Sequence, residues 1–520
     1  MLKKKEKIMI LSHTAINFAK HRLYRYILKM FLLLPAISIS SEFSAQVIGN
    51  FSEQSIFTNE QGGYTCYRIP AIIKAPNGDL LAFSEGRVGS CGDFAENDIV
   101  MKRSKDNGTS WSNLVVVCDN LTHNRVIVSN PAPVVDMTDP SNPNGVVRLV
   151  YNVSDWGEYT VMDGTGVREV FTRISIDNGL TWSTPENITL QVHRPNQPSI
   201  NPLYNFDEDW RHNAITPGHA IQLEQGTRKG RLLFPANYTI NVLGSHEGHS
   251  YAFYTDDHGA TWHIGGIVEK GTNEAMAVEK TNGEILMTMR KQFHGPEGSA
   301  LGASKYRAGV ISSDEGVTFG AAFNDLELPD PVVQGSILRF TATGEYDKDR
   351  ILIANPASDS SRENMTVRIS YDEGDTWQVS KVVNSANSAY SDMVIDKNKN
   401  INLLYERSDP KGISLAQFDL EWLSDGNDNV NTLSQQDQSL INKKSIAYPV
   451  PADNYINVNL FTFEGSVDVN IYNIMGSLVK RLKLKRGIHK LDIRDFPKGT
   501  YILKVNSKKE SNILKFIKSF

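Results

Sequence analysis

The chain has 520 residues, of which 40% are apolar and 22% are charged. These values exclude a collagen-like chain, wholesale disorder and a polytopic membrane protein. The net charge of −5 is unevenly spread, because residues 1–45 carry +6 and residues 476–520 carry +10, which leaves −21 for residues 46–475. A body this acidic is a poor general binder of nucleic acid, since neutralising phosphates needs a surface rich in Lys and Arg. Any anion that it binds must meet a local basic pocket.

The first 45 residues have the composition of a signal peptide region. Several basic residues end at Lys29, a short apolar run follows at 30–37, and small residues precede Gln46. This order predicts a secretory signal peptide, and a disordered basic arm is the alternative. The apolar run is too short to span a bilayer stably, so we expect no transmembrane anchor in the mature chain. We expect an exported protein, at the cell surface or outside the cell, that passes through the periplasm in transit.

From about residue 50 to 423, short β-like runs alternate with turn clusters, and no amphipathic helix of normal length interrupts them. Five segments share the pattern Ser/Thr-x-Asp-x-Gly-x-Thr/Ser-Trp/Phe, and their aspartates are 57 to 80 residues apart. The five aspartates are Asp106, Asp177, Asp257, Asp314 and Asp372. In each copy the Asp can accept local hydrogen bonds, the Gly can supply a positive φ and the aromatic ring can pack under the turn. We interpret the five as structural hairpins, because the further oxygen ligands of a calcium loop are missing.

The repeat predicts the architecture. Its spacing suits β-propeller blades, each a four-stranded antiparallel sheet. We therefore expect an all-β fold in which residues 46–423 form a six-bladed β-propeller, so that residues far apart in sequence can meet on its axis. A polar linker is expected at 424–445. Alternation then resumes, and residues 446–520 predict a small, basic β-sandwich.

Two sets of motifs resemble known families. The five hairpins resemble the Asp boxes of sialidases, and Tyr67-Arg-Ile-Pro-Ala71 resembles the Arg-Ile-Pro motif of the same proteins. This similarity to bacterial exo-α-sialidases of glycoside hydrolase family 33 covers almost all of residues 50–423. It implies a retaining hydrolase that removes terminal sialic acids from sialylated glycoconjugates. The C-terminal region resembles the sorting domain of type IX secretion through Tyr448-Pro-Val-Pro-Ala452 and Pro497-Lys-Gly-Thr-Tyr501, which implies the type IX machinery as a partner.

A sialic acid carries a carboxylate on its anomeric carbon, and arginine pairs with a carboxylate through a planar fork. The resemblance implies three arginines for this carboxylate, Arg68, Arg290 and Arg362. Arg368 is the alternative for the third position. Glu406 is implied as the residue that orients Arg68, since a buried cation needs a partner.

The same carboxylate disfavours an Asp or Glu nucleophile, because two negative groups would be driven together. Sialidases use a tyrosine instead. Tyrosine is neutral at pH 7 and needs a nearby base to become a useful nucleophile. The resemblance implies Tyr390 as the nucleophile and Glu274 as its base.

A general acid must protonate the departing glycosidic oxygen. The resemblance implies Asp93 for this role, on the loop that follows Arg87, a further arginine expected to assist at the substrate. Glu96 and Asp98 lie on the same loop and are the alternatives.

No cofactor and no metal are expected in the chemistry, because the chain has no dinucleotide fingerprint, no phosphate-binding loop and no zinc-helix spacing. Three cysteines allow at most one disulfide. Three functions stay open: a hydrolase, a trans-sialidase on the same site, and a non-catalytic propeller that binds sialoglycans. The implied Tyr/Glu pair favours an enzyme, since a lectin has no need of it.

Overall fold

The computed structural model describes residues 49–242, 244–292, 301, 305–430, 446–448, 452, 454–460, 463, 465–485, 487–507 and 511–518. The predicted signal peptide region at 1–45 and most of the predicted linker at 424–445 lie outside the described residues. The described residues form 31 strands and four short helices, which confirms the all-β prediction. Among its helices, none is long and apolar enough to cross a membrane.

Twenty-four strands lie between residues 51 and 418. They are β1 Phe51–Thr58, β2 Cys66–Lys74, β3 Leu80–Val88, β4 Glu96–Ser104, β5 Val115–Cys118, β6 Ile127–Asp136, β7 Val146–Ser154, β8 Glu169–Ser175, β9 Glu186–Asn187, β10 Trp210–Ile215, β11 Ile221–Gln222, β12 Leu232–Val242, β13 Ser245–Thr255, β14 His263–Ile267, β15 Thr272–Glu279, β16 Ile285–Lys291, β17 Tyr306–Ser312, β18 Phe323–Pro329, β19 Ser336–Thr341, β20 Arg350–Pro356, β21 Glu363–Ser370, β22 Val379–Ile395, β23 Ile401–Ser408 and β24 Lys411–Phe418. The short helices of the described chain are α1 Asn120–His123, α2 Glu158–Met162, α3 Thr189–Val192 and α4 Leu420–Leu423.

Antiparallel pairing arranges most of these strands in groups of four that follow the chain order. One parallel pair, between β4 and β6, joins the first two groups, and the short strand β11 pairs with β12. The groups are β2 to β5, β6 to β9, β10 with β12 to β14, β15 to β18, β19 to β22, and β22 to β24 with β1. The 17-residue strand β22 serves two groups, because its first half pairs with β21 and its second half with β23. Strand β1 pairs with β24, so the two ends of this region complete one sheet.

Each of the five repeated hairpins follows the third strand of its group, and their geometry confirms the structural interpretation. In the fourth copy the Oγ of Ser312 donates to Oδ1 of Asp314 at 2.8 Å, while N and Oγ1 of Thr318 donate to its two oxygens at 2.8 and 2.6 Å. The other four copies repeat these bonds. Gly316 has the expected positive φ of 88°, and Glu315 before it is also left-handed at 62°. Two successive left-handed residues are the signature of a type I′ turn.

The glycines of these hairpins also lie against a neighbouring group. A Cβ on any of the five would collide with or crowd a side chain there, which gives the glycine a packing reason beside its φ. The contacts are Gly108 with Leu415, Gly179 with Leu81, Gly259 with Arg148, Gly316 with Leu233 and Gly374 with Leu286. Each hairpin therefore packs on the group that precedes it, and the first hairpin packs on the last group.

Seven further strands follow in the C-terminal region. They are β25 Ile446–Tyr448, β26 Tyr455–Asn459, β27 Ser466–Asn473, β28 Leu478–Lys485, β29 Ile488–Asp492, β30 Gly499–Asn506 and β31 Ser511–Lys518. They form a sheet in the order β25-β26-β29 and a second in the order β28-β27-β30-β31. Side chains from both sheets, including Val458, Ile471 and Leu503, form one buried apolar cluster.

Candidate active site

Three of the implied site residues lie on the first strands of their groups, at breaks in the strand register. Arg68 on β2, Glu274 on β15 and Tyr390 on β22 each fall where pairing with the next strand shifts. A β-bulge bends its strand locally and re-aims a side chain, and bulges concentrate beside active sites. The three side chains are therefore presented by irregular backbone on an otherwise regular set of sheets.

The Arg-Ile-Pro motif builds one of these bulges. Pro70 has no N–H to donate to the ladder. Ile69 before it is left-handed, with φ 58°, which is rare for a β-branched residue. Its N–H donates to Oε1 of Glu406 at 2.9 Å, and the same oxygen accepts Nε of Arg68 at 2.7 Å. The expected contact between Glu406 and Arg68 is therefore present, and it fixes the backbone as well as the guanidinium.

Tyr390 lies between the expected base and one of the arginines. Its hydroxyl donates to Oε1 of Glu274 at 2.8 Å and accepts a hydrogen bond from Nη1 of Arg290 at 3.0 Å. The same Nη1 donates to Oε2 of Glu274 at 2.8 Å, which closes a three-membered ring of contacts. Tyr390 is 7% exposed, so the phenol is largely shielded from solvent but still has a small accessible surface.

Two more guanidinium groups lie over the Tyr390 ring. Cζ of Arg68 is 5.4 Å and Cζ of Arg362 is 5.8 Å from the ring centroid. Arg368, the alternative for the third position, instead donates to Oδ1 of Asn355 at 3.0 Å. Arg68, Arg290 and Arg362, separated by up to 294 positions in the sequence, thus surround one phenol.

Each of the three arginines has N–H donors that no described residue accepts. Within the described residues, Arg68 uses only Nε in hydrogen bonding, Arg290 uses only Nη1, and Arg362 uses only Nη2, which donates to the carbonyl of Val332 at 3.0 Å. By contrast, all three nitrogens of the structural Arg350 are hydrogen-bonded. Unused guanidinium N–H groups around a common point are what an incoming carboxylate requires.

Opposing effects act on the pKa of the Tyr390 phenol. Burial raises the pKa of the phenol, and the negative charge of Glu274 raises it further. The positive charges of Arg290, Arg68 and Arg362 lower it. The pKa stays above its ordinary value, so the resting hydroxyl is protonated and needs Glu274 to accept its proton during a reaction.

The expected acid lies on the loop after β3 and is held by Arg87. Nη1 of Arg87 donates to Oδ1 of Asp93 at 2.8 Å and to the carbonyl of Cys91 at 2.7 Å. Nε and Nη2 donate to Oε2 of Glu85 at 2.9 and 2.6 Å. The Arg87 side chain is 2% exposed and the Asp93 side chain 65% exposed. The guanidinium of Arg87 therefore bonds to Glu85 and to the loop that carries Asp93. Its expected contact with substrate stays a prediction.

Arg87 also determines the charge of Asp93. Burial raises the pKa of this carboxyl, but the charge and hydrogen bond of Arg87 outweigh that effect, and Arg68 and Arg168 act in the same direction. The pKa of Asp93 therefore lies below its usual range, and the free site holds a carboxylate there. A disulfide between Cys66 and Cys91 ties this loop to the start of β2, while Cys118 is a buried free thiol.

The two alternative acids lie on strand β4, after the loop, and their contacts stabilise the fold. An oxygen of Glu96 accepts Nδ2 of Asn120 at 2.7 Å. Asp98 accepts the hydroxyl of Tyr64 at 2.6 Å and the backbone N–H of Asn120 at 2.9 Å. Asp93 is thus the loop carboxylate whose protein partner is a site arginine.

Sequence reasoning missed a partly buried arginine beside the site. Arg168 on the chain just before β8 donates to Oδ1 of Asn130 at 2.6 Å, to Oγ of Ser129 at 2.7 Å and to Nε2 of His212 at 2.8 Å. Burial holds the pKa of His212 well below its ordinary value, so a neutral imidazole accepts this bond. No local motif marks Arg168. Glu85 was also missed, although its position two residues before Arg87 places both side chains on one face of β3.

Among the described residues, no group of three or more His, Cys, Asp or Glu side chains could hold a metal ion. The site is built from arginines, carboxylates and a phenol. Such a set can bind an anion, transfer protons and supply an oxygen nucleophile.

Comparisons with known proteins agree with these features. Residues 69–403 match the family described as "BNR repeat-like domain". Residues 446–519 match the family described as "Secretion system C-terminal sorting domain". A sialidase from Micromonospora viridifaciens is 32% identical over 420 residues, covering 76% of this chain and 59% of that protein. An exo-alpha-sialidase from Aspergillus fumigatus is 28% identical, covering 71% of this chain and 87% of that protein.

Solved structures show the same fold. The Hadza microbial sialidase Hz136 superposes with a TM-score of 0.57 at 24% identity, covering 69% of this chain and 67% of that one. A leech intramolecular trans-sialidase, solved with 2,7-anhydro-Neu5Ac, also gives a TM-score of 0.57, at 16% identity. It covers 72% of this chain and 71% of that one.

The chain spans 59% of the length of the Micromonospora relative and 60% of a Bacteroides fragilis sialidase that is 26% identical and covers 66% of this chain. The motif resemblance found in the sequence is confirmed. The chain therefore belongs to the BNR repeat-like domain family, its curated relatives are sialidases, and its C-terminal residues match a secretion sorting domain.

Proposed function

We propose that this protein is an exo-α-sialidase that hydrolyses terminal sialic acids from glycoproteins, glycolipids and oligosaccharides with retention of configuration. One observation carries the proposal. The Tyr390 hydroxyl lies 2.8 Å from Glu274 and 3.0 Å from Arg290, with two further guanidinium groups over its ring. A tyrosine that only packs in the core needs neither a neighbouring base nor three arginine side chains around it.

The arginines bind the substrate carboxylate. Arg68, Arg290 and Arg362 present unused N–H donors around Tyr390, so a carboxylate held by them places its own anomeric carbon next to the phenol. Glu406 keeps Arg68 in position from behind, through the 2.7 Å bond to Nε. Binding this anion also replaces the water that would otherwise hydrate three cations.

Tyr390 attacks the anomeric carbon. Glu274 accepts the phenolic proton through the existing hydrogen bond, and Arg290 stabilises the oxygen as it gains negative charge. The bond from the anomeric carbon to the leaving oxygen breaks as the bond to the Tyr390 oxygen forms. A neutral phenol avoids the repulsion that a carboxylate nucleophile would meet from the substrate's own carboxylate.

Asp93 is the general acid and then the general base. In the free site Arg87 keeps its carboxyl ionised, and Asp93 takes up a proton from solvent when the glycosidic oxygen replaces Arg87 as its partner. Asp93 gives that proton to the departing alcohol. It then removes a proton from the water that attacks the anomeric carbon, the bond from that carbon to the Tyr390 oxygen breaks, and Glu274 returns its proton to the phenolate. Retention follows from two displacements at one carbon.

We further propose the architecture and the route of export. Six groups of four strands, with each hairpin packed on the preceding group and the first on the last, support a six-bladed β-propeller for residues 46–423. The two sheets around one apolar cluster support a β-sandwich for residues 446–520. The sorting-domain match supports export through type IX secretion, to the cell surface or the medium.

The test is a product analysis with the purified chain. We expect release of 4-methylumbelliferone from its α-sialoside, and proton NMR should show free sialic acid appearing first as the α-anomer. First appearance of the β-anomer would refute retention, and 2,7-anhydro-sialic acid as the main product would mean intramolecular transfer. No release from any sialoside would refute the sialidase proposal.

A further inference from the structure

Three strands carry the proposed reacting groups, and they belong to three different sheets of the described chain. Arg68 lies on β2, Glu274 on β15 and Tyr390 on β22. No ladder of backbone hydrogen bonds joins these strands within the described residues. Their side chains nevertheless need an accurate placement, because a displacement of about 1 Å can lower a rate about 10²-fold. Side-chain contacts between the sheets must therefore set it.

One buried side chain, that of Gln334, bonds to the peptide beside Tyr390. Gln334 is 1% exposed and lies two residues before β19. Its Oε1 accepts the N–H of Ser391 at 2.9 Å, and its Nε2 donates to the carbonyl of Ser391 at 2.9 Å. These two bonds reproduce the pairing that a neighbouring strand would offer. Since Tyr390 lies in the register break between β22 and β23, the amide of Gln334 holds the backbone where regular pairing stops.

The same amide also reaches the strand that carries Glu274. Nε2 of Gln334 lies 3.3 Å from Sδ of Met276, which is two residues after Glu274 on β15. Nε2 also donates to the carbonyl of Pro217 at 3.0 Å. Gln334 and Met276 are both buried, so solvent does not compete for these contacts. One amide therefore links the strands of Glu274 and Tyr390, whose side chains are 2.8 Å apart.

The loop that carries Gln334 is itself held in place. The side chains of Arg307 and Asp330 form an ion pair and are 0% and 3% exposed. Nη1 of Arg307 donates to the carbonyl of Val333 at 2.7 Å, and Oδ1 of Asp330 accepts the N–H of Val333 at 2.9 Å. A buried ion pair thus anchors the residue before Gln334, so that this side chain can hold β22 and does not merely follow it.

We propose that Gln334 is a positioning residue that holds the Tyr390 phenol against Glu274. It acts through the peptide of Ser391 and does not need to touch the substrate. The alternative is that Gln334 only satisfies buried backbone groups, in which case its loss would lower stability without a specific effect on Tyr390. The inference rests on the proposed sialidase activity.

A double-mutant cycle between Gln334 and Tyr390 separates these two roles. Gln334→Met keeps the length of the side chain but removes its amide. We expect kcat on 4-methylumbelliferyl sialoside to fall about 10²-fold, with KM within about threefold because the arginines still bind the carboxylate. In a Tyr390→Phe background the same substitution should change the residual kcat by less than about threefold, since the group that it positions is absent. Equal factors in the two backgrounds overturn the inference.

Gln334→Glu is the conservative variant. At pH 5, burial against two carbonyls keeps the new carboxyl protonated. It then accepts the N–H of Ser391 and donates to one carbonyl instead of two. We expect its kcat at pH 5 to lie between those of the wild type and Gln334→Met, and a loss as large as that of Gln334→Met overturns the inference. Where Gln334→Met does not fold, the cycle is run with Gln334→Glu.

Gln417→Met on β24 is the matched control. Nε2 of Gln417 donates to the carbonyl of Asn107 at 2.7 Å and to Oδ1 of Asn402 at 2.6 Å, and neither partner belongs to the proposed site. We expect a lower thermal midpoint with wild-type kcat, and a fall in kcat equal to that of Gln334→Met overturns the inference. A wild-type protein that hydrolyses neither this sialoside nor 3′-sialyllactose, which releases lactose, refutes the sialidase proposal itself.

Discussion

The repeated hairpins and the arginine cluster are built in opposite ways. In the hairpins the bonds to the aspartate come from residues two to six positions away, and most hydroxyl and carboxylate groups there satisfy each other. Around Tyr390 the bonds join residues 16 to 116 positions apart, and Arg68 meets Glu406 across 338 positions. The Ser and Thr hydroxyls of the hairpins donate to the aspartates, whereas the arginines around Tyr390 keep N–H groups that the described residues do not use.

This difference separates stability from function. A satisfied local turn contributes to the free energy of unfolding and offers nothing to a ligand. A cluster of cations with unused donors costs stability, because like charges repel and buried N–H groups lack partners. Its cost is offset by the rest of the fold and recovered when an anion binds. We therefore expect variants in the hairpins to lower the stability of the protein, and variants in the arginine cluster to lower its activity.

The largest effect is expected from Tyr390→Phe. The substitution removes one oxygen that bonds Glu274 and Arg290, and with it the proposed nucleophile. We expect kcat on 4-methylumbelliferyl sialoside to fall by at least about 10³-fold, as losses of a nucleophile do. The thermal midpoint should change little, since Glu274 and Arg290 keep their mutual 2.8 Å bond.

Tyr251→Phe is the matched control for this experiment. Its buried hydroxyl donates to the carbonyl of Val192 at 2.8 Å and accepts Nδ2 of Asn213 at 2.7 Å, so this substitution, like Tyr390→Phe, removes two hydrogen bonds. We expect a lower thermal midpoint with wild-type kcat. Wild-type turnover in Tyr390→Phe would show that another group attacks the substrate.

Asp93→Asn should give the next largest effect, and one that depends on the leaving group. Lactose needs a proton as it departs, whereas a phenol such as 4-methylumbelliferone departs readily without one. We expect kcat/KM to fall about 10²-fold more for sialyllactose than for the 4-methylumbelliferyl sialoside. Asp98→Asn, on the strand β4 that follows the loop and bonded to Tyr64, should affect both substrates equally. Equal losses in Asp93→Asn would remove Asp93 from the acid role.

The two regions also differ in how far the sequence alone could predict them. The hairpins were predictable because their bonds are local and repeat five times. The left-handed φ of Glu315 was not predicted, since the residue type before the glycine varies among copies. Tyr390 could not be selected from 19 tyrosines by composition, and only a family motif placed it near Glu274.

The remaining site residues depend on packing between strands far apart in sequence. Arg168 meets Asn130 and His212, which lie 38 and 44 positions away, and no motif links them. The pairing of Cys66 with Cys91 required knowledge of where the Asp93 loop folds back. Glu85 alone had a signal, through the two-residue period of β3.

In the hairpins we expect a loss of stability without a loss of activity. Asp372→Ala removes an acceptor for Ser370, for Gln378 and for the N–H and hydroxyl of Thr376. We expect a loss of about 1–2 kcal/mol in the free energy of unfolding and a thermal midpoint lower by a few degrees. Below that midpoint, kcat/KM on sialyllactose should equal that of the wild type.

Asp375→Ala is the control, because it changes a residue of the same turn without removing the hydrogen bonds to Asp372. Its side chain is 75% exposed, and its one ion pair, with Lys280, spans 3.6 Å. An exposed pair at that distance contributes little. We expect a near-wild-type thermal midpoint. Equal losses in Asp372→Ala and Asp375→Ala would show that the turn, and not the Asp network, stabilises the hairpin.

The smallest expected effect is on the pH dependence of stability. Burial opposes ionisation of Asp177, but the hydroxyl and backbone donors of Thr181 and the hydroxyl of Ser175 lower its pKa from 3.8 to about 2. A folded pKa below the unfolded one stabilises the protein above pH 3.8, and this contribution disappears as the pH falls toward 2. Since the side chain is partly exposed to water, the contribution is small.

Asp177→Asn isolates that contribution. The amide keeps an oxygen acceptor but no charge, so it should reduce the fall of the thermal midpoint between about pH 4 and pH 2 and lower the midpoint slightly at pH 7. Asp375→Asn, which lacks such donors, should leave the slope unchanged. A steeper slope in Asp177→Asn would mean that the charge destabilises the hairpin. The local network would then act through its geometry alone, and the contrast with the charged cluster around Tyr390 would be one of electrostatics as well as of sequence distance.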